Sequence, residues 1–532
     1  GSEMCIRDRF SRIFLGDKEF NKKRYAKHLK NVVNNKICPT CKGQRLNSKI
    51  LSSKIMSKNI SDFTQMTIKE NLEFLNKLED PTAIYIIDPL KKQLEALEYI
   101  GLSYLTLNRV TTTLSGGEAQ RLKLIRHLNS SLSDLVYIID EPSVGLHPED
   151  IAKINEILKS LKEKGNTVLI VEHDPDVIKE GDYIIDMGPG SGKNGGEITF
   201  EGTYNELLSS NTSTGNALRN KHNLKENIRE ANHFYNIGPV TQNNLNNVKT
   251  SIPKHVLTVL TGVAGSGKST LVKAGFENND HTIFIDQKAV QGSNRSNLLT
   301  YLGVFDSVRS YFSKETGLNK AMFSYNSKGA CPNCGGKGYI KTELAFMGDF
   351  SQTCEVCHGK RYKQEVLDAT IDGYSIADVL NLTVDEGIIF FDKKNDIKSK
   401  LQSVSKTGLN YMSLGQPLST LSGGEIQRVK LGQHLDEEIK NSIFIFDEPT
   451  TGLHESDIPI LMECFDDLID QNNTVILIEH NLSIMCEADW IIDVGPGPGL
   501  DGGKVQFSGT PKNFIDSSET LTSKHLKRYI KQ

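Results

Sequence analysis

Short apolar runs alternate along the chain with longer segments in which apolar residues recur at helical spacing. The runs TIFID, IFIFD, VILIE and WIIDV, which begin at residues 282, 443, 475 and 490, consist almost entirely of apolar and β-branched residues. Such runs predict short strands buried on both faces, and their separation by helices is typical of a mostly parallel sheet. HVLTVLTG at 255–262 predicts another strand, and STLVKAGF at 269–276 predicts the start of a helix. The pattern indicates an α/β fold.

A long internal repeat organises this pattern. Residues 112–203 match residues 419–510 with a constant shift of 307 positions and no gap at the main motifs. TTLSGGEAQRLKL corresponds to STLSGGEIQRVKL, LVYIIDEPSVGLH to IFIFDEPTTGLH, NTVLIVEH to NTVILIEH, and DMGPG to DVGPG. A fixed offset of this kind indicates duplication of one structural unit. We therefore expect two similar cassettes in pseudo-symmetric contact.

Composition places the chain among multi-domain globular proteins. It has 532 residues, of which 37% are hydrophobic and 24% charged, with a formal net charge of −4. The weakly acidic net charge does not indicate nucleic-acid binding, although such a chain can still carry a local basic groove that binds nucleic acid. No apolar run approaches the roughly 18 residues that span a bilayer, so we expect a cytoplasmic protein without a membrane partner.

The repeat and the polar stretches predict the domain boundaries. The opening GSEMCIRDRF fits nothing that follows, and we treat the first 35 residues as an uncertain or artefactual N-terminus. The predicted segments are 1–35; 36–110, the remainder of a first signature and zinc domain; 111–208, the C-terminal part of the first cassette; 209–232, a polar linker; 233–300, the start of the second cassette; 301–410, a second signature domain with a four-cysteine module; and 411–532, the remainder of the second cassette.

GVAGSGKST at 262–270 has the spacing of a phosphate-binding loop and follows a predicted strand. In such a loop, glycines let backbone N–H groups close around phosphate oxygens, the lysine supplies charge to the β and γ phosphates, and the hydroxyl after it binds Mg2+. The helix that starts there adds its dipole. The predicted ATP-binding residues of the loop are Gly262, Gly265, Ser266, Gly267, Lys268, Ser269 and Thr270.

Two further strand ends carry residues suited to nucleotide hydrolysis. Asp447 ends the run IFIFD, where a carboxylate can hold the metal shell, and Glu448 beside it can orient the attacking water. The next predicted strand ends at Glu479 and His480, and that histidine can reach the γ phosphate. The first copy carries Asp140, Glu141 and His173 at the same stations.

The motif LSGGE occurs twice but the phosphate loop occurs once. Ser115, Gly116 and Gly117 in the first copy, and residues 422–424 in the second, open a helix in a geometry that presents N–H groups and a hydroxyl to a γ phosphate. Shifted back by 307, Lys268 would fall before residue 1, so we expect the first cassette's phosphate loop upstream of this chain. A degenerate first half that never had such a loop is the alternative.

Six of the nine cysteines lie in Cys-x-x-Cys pairs, which in a reducing compartment indicate metal before disulfides. Two pairs are separated by 19 residues and match the spacing of a four-thiolate structural Zn2+ site. Its predicted ligands are Cys331, Cys334, Cys354 and Cys357.

The third pair, Cys38 and Cys41, begins CPTCKGQRL, which is similar to CEVCHGKRY at 354–362. We expect both thiols to bind zinc in the intact protein. Whether that site is filled in this chain stays open, because the equivalent positions upstream hold no cysteines.

The phosphate loop, signature and histidine resemble the ATP-binding cassette superfamily. A duplicated cassette whose second copy inserts four zinc cysteines between phosphate loop and signature is similar to the UvrA family of excision-repair ATPases. The similarity rests on TGVAGSGKSTL, FSYNSKGACPNCGGKGYI, CEVCHGKRY, SLGQPLSTLSGGEIQRVKL, DEPTTGLH and ADWIIDVGPG, and it covers about residues 36–515.

This resemblance implies an ATP-dependent homodimer that scans duplex DNA for damage, loads a helicase partner and leaves incision to a nuclease. It also implies that the signature at 115–117 closes the nucleotide site of Lys268, and that Gln287 links nucleotide state to the inserted domain. The expected cofactors are ATP, Mg2+ and Zn2+. Candidate contacts to DNA phosphates are Lys337, Lys341, Lys360 and Arg361, for which an ordinary solvated surface is the alternative.

Three other functions remain open at this stage. Valine and alanine in the phosphate loop and the incomplete first zinc module also suit shorter UvrA-like proteins linked to drug resistance. A fragment that folds and binds zinc without ATP turnover is the second possibility. A transporter ATPase subunit is the third, and the four-cysteine insertion argues against it.

Overall fold

The computed structural model describes most of the chain, in two units. The described residues are 37–78, 80–111, 114, 116–128, 133–220, 223–287, 296–344, 348–437 and 439–531. The smaller unit ends at Leu78 and also includes Thr106–Arg109, and the larger unit contains Glu79–Leu105 and everything from Val110 onward. The segment 36–110 expected from sequence is therefore divided between the two units.

Short capped helices form the smaller unit. Asn59 and Thr67 accept backbone N–H groups at the starts of the second and third helices, and a capping box closes each of these two starts. Ile68, Leu72 and Leu75 are buried on one face of the third helix. The helices are α1 Ser48–Leu51, α2 Ile60–Gln65 and α3 Ile68–Asn76.

The second cassette is built on a six-stranded sheet. The strand order is β16-β15-β7-β14-β13-β8, and every neighbouring pair is parallel except β15 and β16. The central strands β7 and β14 are buried at every position, as their continuous apolar runs predict. An antiparallel pair, β5 and β6, packs beside them. These strands are β5 Phe234–Gln242, β6 Leu245–Pro253, β7 Leu257–Thr261, β8 Thr282–Ile285, β13 Ile443–Asp447, β14 Thr474–Ile478, β15 Trp490–Gly495 and β16 Lys504–Gly509.

The first cassette repeats part of this sheet. A parallel pair, β1 Val136–Asp140 and β2 Thr167–Val171, corresponds to β13 and β14. An antiparallel pair, β3 Ile184–Gly188 and β4 Glu197–Gly202, corresponds to β15 and β16. In the second cassette β7 lies between β14 and β15, whereas no strand in the described part of the chain joins β2 to β3. Equivalent residues differ in burial: Ile445, in a core cluster with Ile252 and Leu271, is 1% exposed, whereas Ile138 is 74% exposed.

This matched pair yields a stability prediction. Ile445→Ala removes buried methyl groups from a packed sheet and is expected to cost about 2–5 kcal/mol of unfolding free energy. Ile138→Ala, at the same station of the repeat but on an exposed surface, is expected to cost less than about 0.5 kcal/mol. Urea denaturation followed by circular dichroism, with hydrogen exchange of the two strands, measures both changes. Equal effects would show that Ile138 is covered in solution.

The region between the two halves of the second cassette sheet has its own apolar core. Buried aromatic side chains of residues 312, 323, 325, 362 and 391 form its centre. Its strands are β9 Tyr339–Leu344, β10 Gly348–Thr353, β11 Thr370–Ile371 and β12 Tyr374–Ser375. The helices of the larger unit are α4 Ile84–Tyr99, α5 Gly116–Leu128, α6 Pro148–Glu163, α7 Pro175–Ile178, α8 Tyr204–Ser209, α9 Ser213–Arg219, α10 Lys268–Phe276, α11 Leu298–Tyr301, α12 Phe305–Thr316, α13 Gln364–Asp368, α14 Ile376–Asn381, α15 Val384–Phe390, α16 Asn395–Val404, α17 Gly423–Leu435, α18 Ile458–Asp470, α19 Leu482–Glu487, α20 Pro511–Ser517 and α21 Leu521–Lys531.

The polar stretch 209–232, predicted as a linker, is exposed or half-buried at nearly every described position. It contains α9, whose start is capped by the Thr212 side chain. Further on, the Arg229 guanidinium pairs with Asp466 at 2.8 Å and Asp489 at 3.3 Å. These long-range ion pairs attach the end of the stretch to the second cassette.

Candidate nucleotide site

The phosphate loop follows β7 and leads into α10. Gly262, Gly265 and Gly267 have φ angles of 128°, 74° and 103°, conformations that other residues rarely adopt. The Lys268 ammonium is buried and donates to the carbonyls of Gly262 and Val263 at 2.8 and 3.0 Å. Burial lowers its pKa to about 8, against the raising effect of Glu448. The loop is therefore folded around a buried cation, close to the carboxylates of Glu448, Asp493 and Asp447.

The residues that could bind Mg2+ are Ser269, at the end of this loop, and Asp447, at the end of β13. Ser269 donates its hydroxyl to Asp447 at 3.2 Å, and Lys273 pairs with the other oxygen of the same carboxylate at 3.3 Å. A serine hydroxyl and an aspartate at this separation are the donor set that Mg2+ takes beside bound phosphates. Ser266 is fully buried, and its hydroxyl oxygen has no hydrogen-bond partner in the described part of the chain. The donors present fit Mg2+ and a phosphate chain.

Glu448 occupies a strained position at the centre of the site. Its φ angle is 53°, and Glu141 in the first cassette has the same left-handed conformation at 45°. Gly145 of the first cassette covers its carboxylate, since a Cβ built there would lie 2.8 Å from Oε2. Burial, followed by repulsion from Asp447, raises the pKa of Glu448. A carboxylate with a raised pKa is suited to accept a proton from an attacking water near neutral pH.

His480 and Gln287 border the same carboxylate region. His480 is 6% exposed, and burial lowers its pKa well below the ordinary value, so the ring is neutral. Gln287 donates to the Glu448 carbonyl at 3.1 Å and to the Thr451 hydroxyl at 2.9 Å. A Cβ on Gly423 would lie 3.3 Å from its side-chain oxygen. Gln287 thus connects the segment that follows β13 to the signature motif of its own cassette.

Tyr104 connects the first cassette's signature helix to the second cassette's phosphate loop. Ser115 lies outside the described residues, and Gly116 and Gly117 begin α5. In the first turn of this helix, Glu118 accepts the Tyr104 hydroxyl at 2.6 Å. The Tyr104 ring rests on Gly265, where a Cβ would lie 2.8 Å from the ring. The structure therefore brings a signature helix of one cassette to the cradle of the other.

Tyr104 was not singled out from sequence, although the repeat contained the signal. Tyr411 lies 307 positions later, donates to Glu425 at 2.7 Å and packs against Gly192. A capping box between Ser422 and Glu425 starts α17 in the second signature. Extending the repeat upstream of residue 112 would have found both tyrosines.

The second composite site has Asp140, Glu141 and His173, but the described part of the chain supplies no phosphate loop for it. Glu141 lies 3.7 Å from His173, and a Cβ on Gly452 would lie 3.5 Å from the Glu141 carboxylate. Asp140 ends β1, the counterpart of the strand that ends at Asp447. No phosphate loop accompanies them in the part of the chain that the structure describes.

The four predicted zinc ligands converge. Cys331 and Cys354 have their sulfurs 4.0 Å apart, Cys334 and Cys357 3.7 Å apart, and all four thiols are buried. Tetrahedral Zn–S bonds of about 2.3 Å place sulfurs about 3.8 Å apart, so the donors fit one Zn2+. Four thiolates leave no open position, which is typical of a structural ion.

Cys38 and Cys41 form a knuckle like that of Cys354 and Cys357. The Cys38 carbonyl accepts the Lys42 N–H at 2.7 Å, and the Cys41 carbonyl accepts the Gln44 N–H at 2.8 Å, the pattern found after Cys354 and Cys357. In the described part of the chain, no group of three potential metal ligands includes either thiol. Their assignment as zinc ligands stays a prediction.

The basic residues proposed for DNA differ in their surroundings. Lys337 and Lys341 are exposed. Lys360 pairs with Asp378 at 3.5 Å, and the Arg361 guanidinium lies over the Tyr325 ring at 5.4 Å. Arg361 therefore packs against the module's core, and the three exposed lysines are the better candidates.

Comparison with known proteins agrees with this architecture. A family model described as ABC transporter matches residues 245–451. UvrABC system protein A of Clostridium perfringens is 42% identical over 93% of this chain and 57% of its own length. Its Aquifex aeolicus counterpart is 40% identical over 97% of this chain and 60% of its own length. The crystal structure of UvrA2 from Deinococcus radiodurans matches with a TM-score of 0.90 and 36% identity, covering 97% of this chain and 68% of that one.

The fold and the site define a protein with duplicated ATP-binding cassettes and a four-cysteine module. The chain belongs to the UvrA family. It spans 57–60% of the length of these two curated relatives. In the described residues, no helix has both the length and the apolar character needed to cross a membrane.

Proposed function

We propose that this protein is a DNA-damage-recognition ATPase of nucleotide excision repair. It binds duplex DNA, and it hydrolyses ATP with Mg2+ at the composite site between the two cassettes. The observation that carries the proposal is the meeting of the first signature helix with the Lys268 loop through Tyr104 and Gly265. A signature placed on the other cassette's cradle is what an ATP-binding cassette needs to enclose a nucleotide.

Each residue then has a defined task. Lys268 and the loop N–H groups hold the β and γ phosphates, while Ser269 and Asp447 hold Mg2+, which neutralises developing phosphate charge when bound. Glu448 orients and deprotonates the attacking water. The neutral His480 donates a hydrogen bond to the γ phosphate, and the Ser115 signature closes the site from the other cassette.

The zinc module supports DNA binding in this proposal. Cys331, Cys334, Cys354 and Cys357 would hold Zn2+, which would fix the two knuckles to one another. Lys337, Lys341 and Lys360 contact DNA phosphates without reading bases, which suits recognition of deformed duplexes. We further propose that the protein acts as a homodimer in the cytoplasm with the helicase and nuclease subunits of an excision complex. The relatives named UvrABC system protein A support these partners and do not favour a drug-resistance or transporter role.

Steady-state ATP hydrolysis by the zinc-loaded chain tests the proposal. Rates are compared without DNA, with an intact duplex and with a lesion-bearing duplex, and Lys268→Ala serves as the blank. We expect a rate that changes with the lesion, and loss of ATP binding in the variant because its phosphate charge is removed. Undiminished nucleotide affinity in Lys268→Ala would refute the site. An intact, zinc-loaded chain without turnover would identify an ATPase-inactive fragment.

A further inference from the structure

A buried histidine connects the loop after Glu141 in the first cassette to the C-terminal helix of the second. His147 is fully buried, and its Nδ1 accepts the Glu149 N–H at 3.2 Å. Nδ1 therefore carries the lone pair and Nε2 carries the proton. Nε2 lies 3.1 Å from the Thr522 hydroxyl, which donates onward to Asp493 at 3.3 Å. The result is a directed chain from histidine to threonine to aspartate across the two cassettes.

The same chain occurs in the opposite direction. His454 accepts the Ser456 N–H on Nδ1 at 3.2 Å, and its Nε2 lies 3.1 Å from the Thr214 hydroxyl. Thr214 donates to Asp186 at 2.8 Å. The histidines belong to the repeated GLH motifs and the aspartates to the repeated DMGPG and DVGPG motifs, to which the nucleotide chemistry assigned no task.

Both ends of the His147 chain lie beside the proposed nucleotide site, one next to the phosphate loop and the other next to Glu448. Asp493 is in register with Thr261 at the end of β7, and a Cβ on Gly262 would lie 3.1 Å from its carboxylate. At the other end, Gly145 covers Glu448, two residues before His147. The chain thus joins the loop over the catalytic carboxylate to the strand that carries the phosphate cradle.

We propose that His147 is a positioning residue for ATP turnover, acting through Thr522 and Asp493 to hold the first cassette's loop against the second cassette's phosphate loop. This inference rests on the proposed ATPase function. His147 touches no reacting atom in this assignment. It sets the distance between Glu448 and the cradle, so its loss affects the chemical step more than ATP binding.

Thr522 offers the sharpest test, because valine has nearly the same shape and removes only the hydroxyl. In Thr522→Val, we expect kcat to fall about tenfold, the scale of one lost buried hydrogen bond, with KM changed less than about twofold. Thr522→Ser keeps the hydroxyl and is expected to restore kcat. If Thr522 had only a structural role, Thr522→Val and Thr522→Ser would lower the folded fraction equally, or kcat per folded molecule would not change in either variant.

Thr214→Val is the matched control, because it breaks the equivalent hydrogen bonds from His454 to Asp186. These lie beside Glu141, for which the described part of the chain supplies no phosphate loop. We expect its kcat to stay within about twofold of the parent. Equal losses in Thr522→Val and Thr214→Val, or no loss in Thr522→Val, would overturn the proposal.

Hydrogen exchange supplies a readout that needs no turnover. In nucleotide-free protein, Thr522→Val is expected to accelerate exchange in peptides covering 141–150 and 257–268, and Thr214→Val is expected to leave both unchanged. If the parent chain does not hydrolyse ATP, the proposed function fails. The exchange rates of these peptides still test whether the His147–Thr522–Asp493 hydrogen bonds hold the two loops in place. Unchanged exchange in Thr522→Val would overturn it.

Discussion

Replacing Glu448 by glutamine is expected to lower kcat for ATP hydrolysis by about 10²–10⁴-fold, the usual contribution of a general base. The amide keeps the shape of the side chain but cannot take the proton of the attacking water. ATP binding should persist, because the Lys268 loop and the Ser269–Asp447 pair are untouched. Single-turnover hydrolysis and equilibrium binding of ATP separate the two effects.

Glu141→Gln is the comparison at the equivalent station of the first cassette, where the described chain supplies no phosphate loop. A loss below about threefold is expected there, within the range of an indirect effect. Equal losses at Glu141 and Glu448 would mean that both stations turn over ATP, and a normal rate in Glu448→Gln would remove it from the catalytic role.

The same substitution has a consequence for stability against pH. Burial raises the folded-state pKa of Glu448 above its ordinary value of 4.5, so ionisation is more costly in the folded protein than in the unfolded chain. The parent therefore loses stability as pH rises from about 4.5 through the raised pKa, whereas the neutral glutamine does not. In nucleotide-free protein, the Tm of Glu448→Gln relative to the Tm of the parent should increase between pH 5 and pH 8. A constant difference across that range would contradict the raised pKa.

Removing zinc is the second change with a large expected effect. Apparent binding energies for structural Zn2+ are on the order of 10–16 kcal/mol in small peptides, and two thiolate knuckles without the ion repel one another. We expect a strong chelator, or Cys354→Ser, to unfold the module around Cys331–Tyr362 while the six-stranded sheet of the second cassette stays folded. Metal content, hydrogen exchange of the module and duplex binding report the change.

Cys486→Ala is the matched control for Cys354→Ser. Cys486 is equally buried, at 2% exposure, but lies outside the four-cysteine cluster. It should retain one zinc per module and lose no more than about 1–2 kcal/mol of stability. A full zinc content in Cys354→Ser would show that the thiol is not a ligand.

Local patterns in the sequence predicted much of this molecule. Apolar runs predicted β7, β13, β14 and β15, because strands buried on both faces must be apolar at nearly every position. The glycine spacing at 262–270 predicted the cradle, since only certain backbone angles turn N–H groups inward. The cysteine spacing predicted convergence of four sulfurs, because thiolate ligands and their turns lie close together in the chain.

Contacts between distant segments were decided by the tertiary structure alone. Tyr104 on Gly265, Gly145 on Glu448 and the His147–Thr522 chain join residues far apart in sequence, and Ile138 and Ile445 share a motif yet differ in exposure. A repeat offset identifies equivalent residues but not which of them face one another. The sequence by itself determined the strands, the glycine-rich loop and the convergence of the four cysteines, which depend on local spacing. The resemblance to ATP-binding cassettes already implied that the first signature closes the Lys268 site. The tertiary structure decided which side chains make the contacts there, because that depends on how two separately folded surfaces pack.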